Sequence, residues 1–174
     1  MPVTQQPVPG DSLLNTYRGG PHPERWAGQG DCFSVAVAQP VSLDDFVYAF
    51  YTSPVFRFER AILRILAGAP STDAEARGVA DGSGSSFAIW RVGERTTTQL
   101  LMCDRFEKTR SWFQVAPMEG GGMLLRFGSA VAASRNRETG ALLSVGRGFR
   151  WLMGCHVLYS RVLLGAAQRR VTKK

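Results

Sequence analysis

Apolar and polar positions alternate along "SFAIWRVGERTTTQLLMCDR", residues 86–105, pause at Gly93-Glu94-Arg95, and alternate again. Alternation at period two places every second side chain on one face of a strand. Strands are expected over 86–93, 95–104, 108–117 and 122–134, with a further short one in "GALLSV", 140–145. Short turns join the first four, which makes them an antiparallel meander. On the first, Ala88, Trp90 and Val92 share a face. On the third, Ser111, Phe113 and Val115 oppose Arg110, Trp112 and Gln114. On the fourth, Leu125, Phe127, Ser129 and Val131 oppose Leu124, Arg126 and Gly128. One face is apolar and the other mixed, as in an antiparallel sheet covered on one side. An earlier strand is expected in "DCFSVAVA", where Phe33, Val35 and Val37 fall on one face.

The period changes in "PVSLDDFVYAFYTSPVFRFERAILRILAG", which predicts two consecutive helices. Ser42 suits an N-cap, Asp45 stands three residues on, and Val41 and Phe46 occupy the staple positions. Ser53-Pro54 restarts the pattern, with proline at the first helical position. Phe58, Ile62, Ile65 and Leu66 then form one stripe and Arg57, Arg60 and Arg64 another, until Gly68 ends the helix. "APSTDAEARGVADGSGSS" is poor in bulky residues and reads as a long connection that could hide a short edge strand. Its "DGSGSS" lacks the Gly-Lys-Ser/Thr ending of a phosphate loop. "GRGFRWLMGCHVLYSRVLLGAAQRRV" predicts one long helix over 149–170, apolar around most of its circumference and therefore nearly engulfed.

Length and composition constrain the rest. With 174 residues the chain reads as a single domain over 30–174, preceded by an extended, weakly ordered segment over 1–29 that holds five of the nine prolines. A domain of this size buries roughly 70% of its unfolded surface, enough for a core without staples. No apolar run reaches the length of a membrane span. The start, "MPVTQQPVPGDS", lacks the basic and apolar regions of a secretion signal. The three cysteines, Cys32, Cys103 and Cys155, make no paired motif. Together these features predict a cytoplasmic protein with reduced thiols. The net charge of +7 is concentrated: residues 135–174 contain nine Lys or Arg against Glu138. Nucleic-acid binding would need that basic surface interleaved with exposed aromatics. Phe149, Trp151 and Tyr159 lie instead in a helix that must supply core, so nucleic acid is disfavoured and "RRVTKK" reads as a solubilising helix end.

In its order of strand, two helices, meander and long C-terminal helix, the chain resembles the helix-grip (SRPBCC) superfamily of START domains, Bet v 1 and polyketide cyclases. Its ending "GRGFRWLMGCHVLYSRVLLGAAQRR" looks like that of small, uncharacterised bacterial members. The resemblance covers about residues 31–170. It implies an α+β fold in which a curved antiparallel sheet of six or seven strands wraps a long C-terminal helix, with two short helices after the first strand. It further implies a cavity between sheet and helix that takes a hydrophobic or aromatic small molecule. Candidate lining residues are Trp90, Met102, Phe113, Phe127, Phe149, Met153 and His156, with Phe50 and Phe58 from the short helices; for each the plain reading is ordinary core, which is the commoner role of such a residue.

His156 and Tyr159 are the candidate proton-transfer groups for a cyclase- or aromatase-like enzyme on this scaffold. The plain alternative for His156 is a core histidine bonded to a backbone carbonyl. Arg91, Arg110 and Arg126 recur on the mixed sheet face, where a solvated surface accounts for them, and Asp104 reads as a turn residue. His22 stands apart from other ligand types, no metal-ligand spacing is present, and no cofactor is expected. A carrier or sensor, an enzyme on the same scaffold, and a partner-docking module without ligand all remain open. An internal void above roughly 300 Å³ would count against the last.

Overall fold

Neighbouring strands run antiparallel throughout a seven-stranded sheet in the computed structural model of the chain. The structure describes residues 2–19, 30–66, 68–132 and 147–173, with side chains in the last stretch from 158 onward. The elements are β1 (Thr4–Gln6), α1 (Leu13–Thr16), β2 (Asp31–Val37), α2 (Leu43–Tyr51), α3 (Pro54–Leu66) and α4 (Asp73–Asp81). They continue with β3 (Ser86–Phe87), β4 (Trp90–Arg95), β5 (Gln99–Asp104), β6 (Thr109–Pro117), β7 (Met123–Val131) and α5 (Arg147–Val171). In space the strands follow the order β1-β2-β7-β6-β5-β4-β3. The expected strand over 140–145 lies outside the described residues.

Register places Phe33 opposite Phe127, Phe127 opposite Phe113, and Phe113 opposite Leu100, a continuous apolar row across four strands. Such cross-strand neighbours are the unit of sheet stabilisation. Helices α5, α2 and α4 cover this face, α5 against β2 and β7, α2 against β6, and α4 against β3. Phe46, Phe50 and Tyr51 of α2 meet Phe113 edge-on, with ring centroids 4.9–5.7 Å apart. From α5, Leu163, Leu164, Ala167 and Val171 join the same core.

The start of α2 follows its sequence signals. Ser42 Oγ accepts from the Asp45 amide at 3.0 Å, and Asp44 and Asp45 occupy the first turn. The connection over 70–85 does not. Most of it is α4, opened by a capping box in which Thr72 and Glu75 satisfy each other's amides and closed by Gly82 in the left-handed region (φ 82°). Local capping chemistry outweighed the low content of bulky residues, because Ala76, Val79 and Ala80 suffice for a helix that packs closely on α2.

Two details of the meander also differ from expectation. Gly93 is not in a turn but in a bulge of β4, where a Cβ would lie 2.9 Å from Cys103 Sγ. The chain reverses at Thr96–Thr98, where Thr96 Oγ1 accepts from the Gln99 amide at 2.9 Å. The expected first strand is broken at Ala88, whose φ is 52°, into β3 and β4. Asp104 is the turn residue expected, and it is buried. Its carboxylate accepts from the amides of Phe106 (2.6 Å), Lys108 (3.1 Å) and Thr109, and from the Thr109 hydroxyl (2.6 Å).

The expectation of a weakly ordered segment over 1–29 is corrected for residues 4–16. β1 pairs with β2, and Leu13 and Leu14 pack on the outer sheet face with Cys32, Leu101, Cys103 and Trp112. Buried Gln99 holds this layer: its Oε1 accepts from the Leu13 amide at 3.0 Å and from Trp112 Nε1 at 2.7 Å. Gly128 leaves room beneath, since a Cβ there would stand 2.9 Å from the Trp112 ring. Burial pushes the Cys32 thiol up to about 11, which leaves it unreactive at neutral pH.

Gln99→Ala strips two buried N–H groups of their acceptor. Each orphaned group costs about 1–3 kcal/mol, so urea unfolding is expected to show a loss of about 2–6 kcal/mol. An unchanged midpoint would refute the anchoring role.

Candidate functional site

Six elements converge on a cavity of about 190 Å³. Phe50 and Tyr51 end α2, Phe56 and Glu59 come from α3, and Tyr159, Ser160 and Leu163 from α5. Trp90 begins β4, while β6 and β7 supply Ser111, Phe127 and Ser129 among others. The wall is mostly apolar. Phe50 and Phe127 lie 4.7 Å apart, centroid to centroid, and Phe56 lies 5.7 Å from Trp90.

Polar groups interrupt this wall at chosen places. Tyr51 Oη, Trp90 Nε1 and Ser160 Oγ are buried and have no hydrogen-bond partner among the described residues. Native proteins seldom leave such groups unpaired, and each one calls for an explanation. All three belong to residues that line the cavity. Indole Nε1 is a donor only, and the two hydroxyls both donate and accept.

Beside them Tyr159 Oη donates to the Glu59 carboxylate. Burial raises the pKa of Glu59 above the usual carboxylate range, and the Tyr159 hydrogen bond partly opposes the shift. Burial also raises both Tyr51 and Tyr159, and the Glu59 charge adds to each shift. The pair is chemically an acid–base couple at the edge of an apolar chamber. The guanidinium of Arg110, though its residue borders the cavity, is turned to the outer sheet face. There it donates to the Gly19 carbonyl at 3.1 Å and lies 4.9 Å from the Tyr17 ring.

Of the residues singled out in the sequence, Trp90, Phe127, Phe50 and Tyr159 stand together in the wall. Met102 and Phe113 are fully buried core on the same sheet face and do not border the cavity. Phe58 is corrected: it is 71% exposed and points away from the chamber. The side chains of Phe149, Met153 and His156 lie outside the described residues, as does His22. Among the described residues no cluster of acids, histidines or cysteines could hold a metal ion.

Neither a family model nor a curated protein matches the chain.

Sequence reasoning missed Glu59, and the cause is the rotation of α3. Two polar anchors set it. Arg60 reaches Asp73 at 2.6 Å and the Ser71 carbonyl at 2.7 Å, and Arg57 also pairs with Asp73 at the start of α4. Glu59 reaches Tyr159 on α5. With those contacts made, Phe56, Glu59 and Leu63 face inward and the more apolar stripe faces out. A signal was available. Glu59 is the one acid between Asp45 and Asp73, and it stands one turn from Phe56.

The raised pKa of Glu59 has a direct consequence for stability. A carboxyl with a raised folded-state value contributes stability that is complete below its unfolded value and is lost as pH rises through the folded one. Glu59→Gln keeps a carbonyl for Tyr159 and removes the titration. The variant is expected to gain stability relative to the parent as pH rises through that window, read from urea unfolding at a series of pH values. Parallel curves would contradict the assignment.

Proposed function

We propose that this protein binds a small, uncharged aromatic molecule between its sheet and its C-terminal helix, as a carrier or sensor on a helix-grip scaffold. In that scaffold a curved antiparallel sheet wraps the last helix, and the covering of β2 and β7 by α5 is consistent with it. The observation that carries the proposal is that Tyr51, Trp90 and Ser160, residues lining one apolar chamber, each hold a buried polar atom with no partner among the described residues. Ligand sites combine a mostly apolar wall with a few convergent polar groups in this way.

Size and charge narrow the class. An engineered apolar cavity of about 150 Å³ accepts benzene, so about 190 Å³ suits one ring with a small substituent. It falls short of the roughly 300 Å³ at which drug-sized pockets begin, which argues against polycyclic substrates of a polyketide cyclase. It also falls below the void size that would count against a docking module, so the unpaired polar atoms carry the argument rather than the volume. A donor-only indole favours a ligand oxygen. The Glu59 carboxyl, the one acidic group in the wall among the described residues, disfavours an anion. A phenol meets all of these terms.

Calorimetric titration tests the proposal with phenol, toluene and benzoate. Phenol is expected to bind, toluene more weakly, and benzoate least. Trp90→Phe and Ser160→Ala should each weaken phenol by about fivefold to tenfold, the worth of one hydrogen bond. Failure of all three compounds to bind would sink the proposal.

The Glu59–Tyr159 couple favours one second reading, an enzyme that moves a proton on the bound ring. For that reading Glu59→Gln should abolish turnover while phenol still binds, and for a carrier it should change binding alone.

A further inference from the structure

The stripe that α3 turns outward is the largest exposed apolar feature among the described residues. Phe58 is 71% exposed, Ile62 39%, Ile65 80% and Leu66 80%; Leu158 and Val162, on α5 alongside, are 65% and 41% exposed. Scattered apolar side chains on a surface are ordinary, but a contiguous set at spacings of three and four on one helix marks an interaction face. Charge surrounds it. The one carboxylate on α3 is Glu59, and it is turned inward to Tyr159. On the outside stand Arg64 and Arg57, the latter paired with Asp73, while α5 contains no acid and carries exposed Arg161, Arg169 and Arg170. At the start of α3 an open cleft of about 310 Å³ is walled by Pro54, Val55, Ala166, Arg169, Arg170 and Lys173.

We propose that α3, with the last turns of α5, docks on the surface of an anionic lipid bilayer. Apolar side chains on one side of a helix, flanked by Lys and Arg, are the arrangement that beds into the headgroup boundary. The basic cleft is placed to receive lipid phosphate. A helix of 13 residues is about 20 Å long, so it lies in the interface and cannot span it. A second copy of the chain fits less well, because a two-fold contact through this face would set Arg64, Arg169 and Arg170 against themselves. A peptide helix also fits less well, since such partners sit in grooves and this stripe is the convex side of α3. The argument is independent of the cavity and of any ligand in it.

The test is co-sedimentation of the whole chain with vesicles of phosphatidylcholine alone and of phosphatidylcholine with about 30% phosphatidylserine. Binding is expected to the anionic vesicles only and to weaken as salt is raised. Arg169→Ala with Arg170→Ala should lower the partition coefficient about fivefold per cation. Ile65→Ser with Leu66→Ser should lower it on the order of tenfold or more. Both positions of the second pair are exposed, so its circular dichroism and melting temperature should match the parent's. Equal binding to both vesicles, or binding to neither, would overturn the proposal. So would a dimer in sedimentation equilibrium that the Ile65→Ser, Leu66→Ser variant converts to monomer, or retention of polyglutamate in place of vesicles.

Discussion

One helix cannot cover seven strands. Strands lie about 4.8 Å apart, so seven of them are roughly 29 Å wide, whereas a helix with its side chains is about 10 Å across. The apolar row Phe33–Phe127–Phe113–Leu100 must nevertheless leave water. The chain meets this constraint with three helices on that face. α5 takes the β2–β7 end, α2 the middle and α4 the far edge. Between α2 and α5, beside α3, a seam remains, and the cavity lies there. Its floor is β6 and β7, and its sides are the end of α2, the start of α3 and the middle of α5. The mixed face has its own cover in the N-terminal layer held by Gln99.

The rotation of α3 about its axis couples the cavity to the outer surface. Packing alone would have turned Phe58, Ile62, Ile65 and Leu66 inward, because that stripe is the more apolar. Ion pairs and a carboxylate–phenol hydrogen bond oppose that choice, and the Arg60–Asp73 bond holds the Asp73 carboxyl below its ordinary range. The helix therefore presents Phe56 and Glu59 to the chamber and its apolar stripe to solvent. A single turn of α3 thus supplies a wall to one candidate site and the surface of the other.

Much of the fold was legible. The meander strands, the faces of β6 and β7, both capped helices and the long last helix follow from period and capping residues. What escaped had specific physical causes. α4 is short and built on small residues, so its capping box was the signal and its lack of bulk misled. The N-terminal layer depends on a hydrogen bond from Gln99 to a residue 86 positions away, which no local pattern carries. At the site, aromatics on known faces were readable: Trp90, Phe127 and Phe50 line the chamber. Met102 and Phe113 lie on the right face, but face alone does not separate a wall from the core beside it. Phe58 faces solvent and Glu59, which no pattern singled out, faces the chamber, because helical rotation was decided by contacts with α4 and α5, which are distant in sequence.

The central claim is that the seam between the helices and the sheet is a chamber shaped for a small phenol. The most direct measurement is a crystal structure of the protein soaked in p-bromophenol. An anomalous bromine peak is expected among Phe50, Phe56, Phe127 and Leu163, with the phenol oxygen within hydrogen-bond distance of Trp90 Nε1. A chamber closed by inward side chains, with Tyr51 Oη, Trp90 Nε1 and Ser160 Oγ paired to protein atoms and no bromine between them, would contradict the account.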